Sequence, residues 1–502
     1  MSDIRKLASK IDLACDRNDH ETLNETLDEI GKINLKPLSP VECATLNYFI
    51  ANAHSGIRRS VKQKQNWLGD QHHREKEILH LRLALSDLGE LTDEEIRTDL
   101  KSRITTNLAN ALNNIGRFVE AIQLWDQTLI SYPYFPMAMG NKASTMFEYA
   151  RYASKGYVQA IFLQESYKLL KSALEIGVEK QARNEMSALA DHINTFGDWD
   201  WNKVEIPLPA YRKGRTKKEK TYRKWCVENQ LYLDFLNDVS RDWTSLEDTL
   251  TLPNMVQDIL EEDVYLPAPY AIFNQLKQEY VSARFLIFEA IQEKDKPLHF
   301  SDRCVKLYDA LDYRYYRLWV ERLKMSFLSI FAIFDKIAYL VNDYWKLEIP
   351  VRNLSFQSVW FEDRGLTKIR EQFLISENKP LQGLFWLSKD LYYRSKDVQL
   401  ISPEAKTLTD IRNHIAHKYL RVHDHYLNNP AQERKTKGKE LSFPVSDIEL
   451  VEESIRLLKL ARSALIYLTT AITYEESKKS ADSNSEYTFP MTIHSVNDNS
   501  RL

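Results

Sequence analysis

The sequence predicts an all-α protein in which an N-terminal helical-repeat array is followed by a C-terminal helical bundle. The first observation behind this prediction is that turn-forming residues are scarce, with 13 glycines and 16 prolines among 502 residues. The second is that apolar residues recur at three- and four-residue spacing over long stretches, as on one face of a helix. The third is length, because a chain of this size rarely folds around one core.

Composition restricts the class of protein. The formal net charge of −3 argues against a surface coated with basic residues for DNA, although a local basic cleft for RNA remains compatible with it. The four cysteines share no CxxC spacing, which argues against a disulfide framework and favours a reducing compartment. The charged N-terminus has no signal-peptide core, and no uninterrupted apolar run has the length of a membrane span. We therefore expect a cytoplasmic protein without a membrane partner.

The clearest repeat-like pattern lies between Thr105 and Pro133. Residues at the offsets of one tetratricopeptide repeat are Leu108, Ala109, Leu112, Gly116, Phe118, Ala121, Trp125, Leu129 and Pro133. Alanines allow two antiparallel helices to approach closely, and a glycine suits the turn between them. Since such units need stacked neighbours, we predict a tetratricopeptide-like array over residues 1–200, with a protein or peptide as its expected ligand.

The remaining chain divides by composition. The helical pattern breaks at residues 199–209, and we assign 201–274 to a linker with connecting helices. Its basic run at 212–218 is either a solvated linker or a patch that contacts phosphate. Helices are predicted over 320–345, 381–394, 403–422 and 447–476, and they indicate a bundle over 275–480. Residues 481–502 are polar and predicted to form a flexible tail.

The helix predicted over 403–422 contains the run Arg412-Asn413-His414-Ile415-Ala416-His417. At about 100° per residue, its predicted core face comprises Leu408, Ile411, Ile415, Tyr419 and Val422. The opposite, outward face comprises Asp410, Asn413, His414, His417 and Arg421. A polar face of this kind must be covered by water or by a partner.

This run resembles the R-x4–6-H motif of the HEPN superfamily. The long helix before it, the segment FWLSKDLYY and the helix after it resemble an HEPN subfamily that carries N-terminal tetratricopeptide repeats. The resemblance covers residues 275–479. It implies a metal-independent endoribonuclease that needs no cofactor and acts as a homodimer, often as a toxin or in defence against phage. By resemblance, the catalytic residues are Arg412, His417 and the intervening polar Asn413.

The implied reaction suits these residue types. The ribose 2′-OH would attack the neighbouring phosphate and leave a cyclic phosphate and a 5′-OH. An imidazole titrates near neutrality, so His417 can transfer the proton. Arg412 stays charged and can hold two phosphate oxygens. Asn413 lies one turn before His417, where it is expected to hydrogen-bond the imidazole or a substrate oxygen. The residues expected to bind the RNA substrate are His414, Lys418 and Arg421.

Helix geometry leaves two arrangements of the pair open. Five residues turn a helix by about 140°, so Arg412 and His417 do not share a face. Either the arginine side chain wraps around the helix, or the arginine of one subunit meets the histidine of the other across a two-fold axis. We favour the second arrangement, because a partner subunit would also cover the polar face.

Two alternative functions remain open. Asp410, His414 and His417 recur at four- and three-residue spacing and could hold zinc or iron, although no second ligand motif accompanies them. In the other alternative, the repeats bind a protein and the bundle is a non-catalytic adaptor or dimerisation module. A phosphate-binding glycine loop, a nucleophile elbow and a dinucleotide-binding fingerprint are all absent from the sequence. We expect the array to act as a sensor or restraint on the nuclease.

Overall fold

A computed structural model describes residues 2–33, 38–60, 71–89, 91, 96, 99–152, 156–211, 214–256, 268–308, 314–391, 402–403, 405–426, 441–482, 496 and 498. The described chain is mainly helical with two short strands, which confirms the predicted all-α class. The N-terminal helices are α1 (Ser2–Arg17), α2 (His20–Ile30), α3 (Pro40–Ser60), α4 (Gln71–Leu88), α5 (Leu100–Asn114), α6 (Phe118–Ser131), α7 (Pro136–Ala150), α8 (Tyr157–Ile176) and α9 (Lys180–Asn194).

The N-terminal helices pack in sequential pairs, α3 with α4, α5 with α6 and α7 with α8. Gly116 lies in the α5–α6 turn with a φ of +84°, a conformation that glycine adopts without a steric cost. Ala109 and Ala121 are fully buried where these two helices meet, and Trp125 fills the space beside them. This arrangement is consistent with the predicted repeats.

The connecting region contains a helix and a short 3-10 turn. Helix α10 (Lys217–Glu228) begins at the N-cap Thr216, and a 3-10 turn follows at Phe235–Asp238. Between them Gln230 has a φ of +55°, which a helix cannot accommodate. Of the basic run at 212–218, the first two residues lie outside the described residues, and the last two belong to α10.

The C-terminal bundle contains α11 (Ala268–Glu293), α12 (Leu318–Tyr344), α13 (Glu371–Leu374), α14 (Lys379–Leu391), α15 (Ala405–His417) and α16 (Asp447–Asp482). The two long helices predicted over 320–345 and 447–476 correspond to α12 and α16. Within the described ranges, α12 alone has the length and hydropathy of a membrane-spanning helix, but its apolar side chains pack in the core. Most of the predicted tail lies outside the described residues.

The helix predicted over 403–422 is too long, because α15 ends at His417. Residues Tyr419–His423 form strand β1, which pairs in parallel with β2 (Ser442–Ser446), Val422 opposite Val445. On the other edge of β1, the Tyr315 amide donates to the Val422 carbonyl at 2.9 Å. The chain therefore leaves the helix because strand partners on both edges satisfy its backbone groups.

Array and bundle share one core. A single cluster of buried apolar side chains extends from Ala44 in α3 to Ile472 in α16, and a smaller cluster joins α1, α2 and α3. The connecting region contributes to the larger cluster through residues such as Leu233 and Leu236. The motif helix thus rests on a continuous packed interior.

Candidate nuclease site

The core fixes the position of α15. Leu408 and Ile411 are fully buried, and the helix packs against α12, α14 and both strands. The Thr409 hydroxyl donates to the Leu391 carbonyl at 3.1 Å, which ties α15 to the C-terminal end of α14. The residues that follow on the helix are therefore presented from a rigid support.

Arg412 and Asn413 form a hydrogen-bonded pair near the open end of the helix. Arg412 Nη1 donates to Asn413 Oδ1 at 3.0 Å, and both residues are half-buried. An arginine has five N–H donors, so this bond leaves donors for a phosphate. Asn413 was expected to bond the imidazole or a substrate oxygen. In the structure its carbonyl oxygen instead orients the guanidinium.

His417 is the last residue of α15 and is exposed. It lies five residues after Arg412, a rise of about 7.5 Å along the axis. The helix therefore presents a guanidinium on its flank and an imidazole at its C-terminal end. A ligand that touches both groups of one chain would therefore have to reach from the flank of the helix to its end.

His414 does not belong to an outward polar face, and that part of the prediction is wrong. Its side chain is only 8% exposed, and its Nδ1 lies 2.7 Å from the Asp410 carbonyl oxygen. The ring stacks on Phe443 of β2, with centroids 5.3 Å apart and planes at 28°. The reason is that β2 covers this side of α15, which periodicity within the helix cannot reveal. Its interior position does not favour contact with RNA.

The two basic residues expected to bind substrate have different positions. Lys418 is exposed, directly after the helix. Arg421 was predicted on the outer face of the helix, but it lies in β1 and is 6% exposed. Its predicted orientation is wrong, because the strand rather than the helix continues past His417. Lys418 is thus the better placed of the two to meet a substrate.

Sequence reasoning missed an aromatic and basic group beside His417. Tyr419 was predicted on the core face, yet it is 39% exposed. The Arg314 side chain donates to the Tyr419 hydroxyl and lies 5.1 Å from its ring centroid. The Tyr316 hydroxyl is 3.3 Å from that of Tyr419. The available signal was the segment YLRVH, whose composition is typical of a strand.

The alternative metal site is not assembled. Among the described residues, no three histidine, cysteine, aspartate or glutamate side chains lie close enough to hold an ion. His414 is turned toward a backbone carbonyl of its own helix rather than toward His417. The triad of Asp410, His414 and His417 therefore does not converge in this structure.

Comparison with known protein families finds a match over the C-terminal bundle. The family model described as LA2681-like HEPN matches residues 260–475, a range that contains α15 and the whole motif. No curated protein and no solved structure matches the chain.

Proposed function

We propose that residues 260–475, which match the family model described as LA2681-like HEPN, form a metal-independent endoribonuclease. The observation that carries the proposal is the arrangement at the end of α15. There an oriented guanidinium, Arg412, and an exposed imidazole, His417, lie within the last six residues of one helix. A phosphodiester is the substrate class that requires both a cationic clamp and a proton-transfer group.

Each residue has a defined role in the proposed reaction. His417 takes the proton from the ribose 2′-OH as that oxygen attacks phosphorus. The P–O5′ bond breaks, and the 5′ oxygen leaves as a 5′-OH with the proton that His417 gives up again, while the other product carries a cyclic phosphate. Arg412 stabilises the negative charge that builds on the phosphate oxygens. Asn413 holds the guanidinium in place through the 3.0 Å hydrogen bond.

The surface beside His417 suits an RNA strand. Lys418 is an exposed cation for the backbone. Tyr316 and Tyr419 are exposed rings on which bases can stack, and Arg314 lies against one of them. We propose that these four residues, rather than His414 and Arg421, guide the RNA into the site.

The proposed biological role is that of a regulated cytoplasmic toxin or antiviral effector. In this proposal the protein acts as a homodimer, and the N-terminal array senses a protein or peptide and restrains the nuclease. Support for the restraint comes from Asp390 of α14, which ion-pairs with Arg82 of α4 and Arg117 of the α5–α6 turn. Helix α14 in turn bonds α15 through Leu391 and Thr409.

The decisive experiment compares wild type with Arg412→Ala and His417→Ala, using His425→Ala as a matched control. His425 is an exposed histidine outside the motif. We expect His417→Ala to reduce RNA cleavage by about 10²–10⁴-fold, the usual contribution of a general acid–base group. His425→Ala should cleave as wild type does, and EDTA should leave the rate unchanged. Equal RNA integrity with all four proteins would exclude the nuclease and leave the adaptor function.

A further inference from the structure

A cleft of about 630 Å³ lies where the chain leaves α12 and returns to α13, and the nuclease motif does not contribute to it. Three arginines line it: Arg352, Arg364 and Arg370. We call it the arginine cleft. Its apolar lining includes Leu347, Ile349 and Phe361. A volume of this size lies in the range of small-molecule sites, about 300–1,000 Å³.

The arginines of the cleft are not neutralised by its acids. Neither Arg352 nor Arg364 forms an ion pair or side-chain hydrogen bond with any residue in the described ranges. Glu362 is paired with Lys368, outside the cleft lining. Asp363 Oδ1 accepts from the backbone amide of Lys368 at 2.7 Å and from that of Thr367 at 3.0 Å.

The third acid, Glu348, is exposed. Two guanidinium groups therefore face the cleft without a carboxylate engaged to either of them. Such groups are suited to bind an anion that enters from solution.

Arg370 gives independent support. It is half-buried, and its Nε donates to the Val359 carbonyl at 3.1 Å. Burial lowers the pKa of Arg370, against the opposing influence of Glu362. A cation that is partly desolvated is stabilised when a further anion binds beside it.

The walls of the arginine cleft are held in place before any ligand binds. The side chain of Asn342, near the end of α12, bonds both backbone groups of Ile349, at 3.0 and 3.2 Å. Glu348 and Leu366, which both line the cleft, have φ values of +56° and +57°. Non-glycine residues rarely adopt this conformation, and those that do concentrate at binding sites.

We propose that the arginine cleft binds a small phosphate ester of nucleotide size. The guanidinium groups of Arg352 and Arg364 can each donate two parallel hydrogen bonds to phosphate oxygens. Phe361 and the aliphatic side chains offer an apolar wall for a base or sugar. The phosphate can come from a free mononucleotide or from the end of an RNA strand, since both present the same chemistry. This site goes beyond the proposed cleavage reaction and does not depend on it.

The test is isothermal titration of the full-length protein with AMP, and with adenosine as the ligand that lacks phosphate. We expect AMP to bind and adenosine to bind at least about 10-fold more weakly. The double variant Arg352→Ala/Arg364→Ala should lose about 10-fold or more in AMP affinity. Arg183→Ala, at an exposed arginine of α9, should bind AMP as wild type does. No AMP binding at millimolar concentration, or wild-type binding by the double variant, would overturn the proposal.

Two further measurements separate the ligand sources and the two sites. His417→Ala should bind AMP normally, because the cleft lies outside the nuclease motif; its loss of AMP binding would assign the ligand to that motif and overturn the proposal. If RNA supplies the phosphate, the double variant raises the KM of RNA cleavage without changing kcat. If a free nucleotide supplies it, RNA cleavage in nucleotide-free buffer is unchanged. The AMP titration stands by itself even if the protein cleaves no RNA.

Discussion

The proposed reaction depends on the planar shape of the Arg412 guanidinium as well as on its charge. Its bond to Asn413 fixes the plane of the guanidinium, and the remaining N–H groups point away from that contact. A planar fork can hold two phosphate oxygens at once, whereas an ammonium group is a point charge on a flexible stem. We therefore expect that a positive charge without the planar fork does not support full RNA cleavage at this position.

We predict that Arg412→Lys lowers kcat/KM for RNA by at least about 10-fold, because the charge is kept but the two-pronged contact is lost. Arg303→Lys, at an exposed arginine outside the motif, is the matched control and should leave kcat/KM unchanged. Steady-state cleavage of a labelled RNA measures both. A fully active Arg412→Lys variant would show that the site needs only a positive charge there.

At this scale the sequence predicts part of the candidate site's structure. The buried positions of Leu408 and Ile411 follow from helical periodicity, and the roles of Arg412, Asn413 and His417 stay predictions from the motif. The orientation of Arg421 does not follow, because a helical pattern cannot show where a strand takes over. Strand β2 lies some twenty residues further along the chain, and local spacing contains no information about such a partner.

Helix α14 of the bundle contacts the array through buried ion pairs. The buried Asp390 carboxylate accepts hydrogen bonds from the two terminal nitrogens of Arg82 at 2.7 and 2.8 Å. It also forms an ion pair with the buried Arg117. Burial alone would raise the pKa of Asp390, but the two guanidinium groups outweigh it and hold the pKa well below its usual value. The carboxylate is thus charged and paired at neutral pH.

We predict that Asp390→Ala lowers the free energy of unfolding by about 3 kcal/mol, because it removes the buried carboxylate that Arg82 and Arg117 share and leaves the buried Arg117 paired with the half-buried Glu120. The control is Lys379→Ala, which removes an exposed ion pair with Glu148 and should cost less than about 1 kcal/mol. Urea unfolding followed by circular dichroism compares the midpoints. Equal midpoints for the two variants would show that the buried pair does not hold the junction together.

The same pair gives a pH dependence with a defined sign. Because the pKa of Asp390 is lowered on folding, its stabilisation is present above the pKa of the unfolded chain. It is lost as the pH falls through the folded pKa. Stability should therefore decline in strong acid less steeply for Asp390→Asn than for wild type.

The α3–α4 hairpin contains a second titrating group, a histidine cluster. His54 Nδ1 lies 2.8 Å from His73 Nδ1, and the ring of His80 is stacked 6.1 Å from that of His54. Burial, followed by the neighbouring imidazoles, lowers the pKa of His54 to about 3. Burial, followed by Lys76, lowers that of His80 to about 4. Both rings are neutral in the folded protein, whereas the unfolded chain binds protons below about pH 6.5.

We predict that acid destabilises the array between pH 6.5 and 4. In this range the histidines of the unfolded chain bind protons while the buried His54 and His80 of the folded protein stay neutral, so each fall in pH favours the unfolded state. Replacing His80 by Gln should remove about 1–2 kcal/mol of the difference in unfolding free energy between pH 7.5 and pH 5. His425→Gln, at an exposed position, should leave that difference unchanged. A His80→Gln protein with the wild-type pH profile would contradict this account.

The junction also shows what a sequence can and cannot predict about an element. Gly116 was predicted as a turn residue, and its positive φ agrees with that. Its second role, to let the backbone of α14 approach closely, was not predictable. A Cβ at Gly116 would lie 2.1 Å from the Lys379 carbonyl oxygen, and a Cβ at Gly383 would lie 2.3 Å from the Gly116 carbonyl oxygen. Two backbones 267 positions apart come together here, and only the folded chain reveals such proximity.

At the level of the whole molecule, array and bundle do not behave as separable bodies. Their apolar residues form one continuous cluster, and the Tyr467 hydroxyl of α16 accepts from the Val119 amide of α6 at 3.1 Å. Removing the array would expose this surface, so truncation tests stability as well as regulation. Point variants at the junction are therefore the better probe of restraint, since Asp390 and the motif helix are linked through Leu391 and Thr409.

The proposed dimer makes the most distinctive prediction for the whole molecule. If Arg412 of one subunit and His417 of the other form each site, a heterodimer of Arg412→Ala and His417→Ala contains one intact site and one that lacks both groups. Refolding or co-expressing the two inactive variants should then restore about a quarter of wild-type cleavage, because about half of the dimers are mixed and each has one working site. If both residues of a site come from one subunit, every site in the mixture lacks a catalytic group. Analytical ultracentrifugation would first establish that the mixture is dimeric. If this dimeric mixture cleaves RNA no faster than either variant alone, the complete site lies within a single chain.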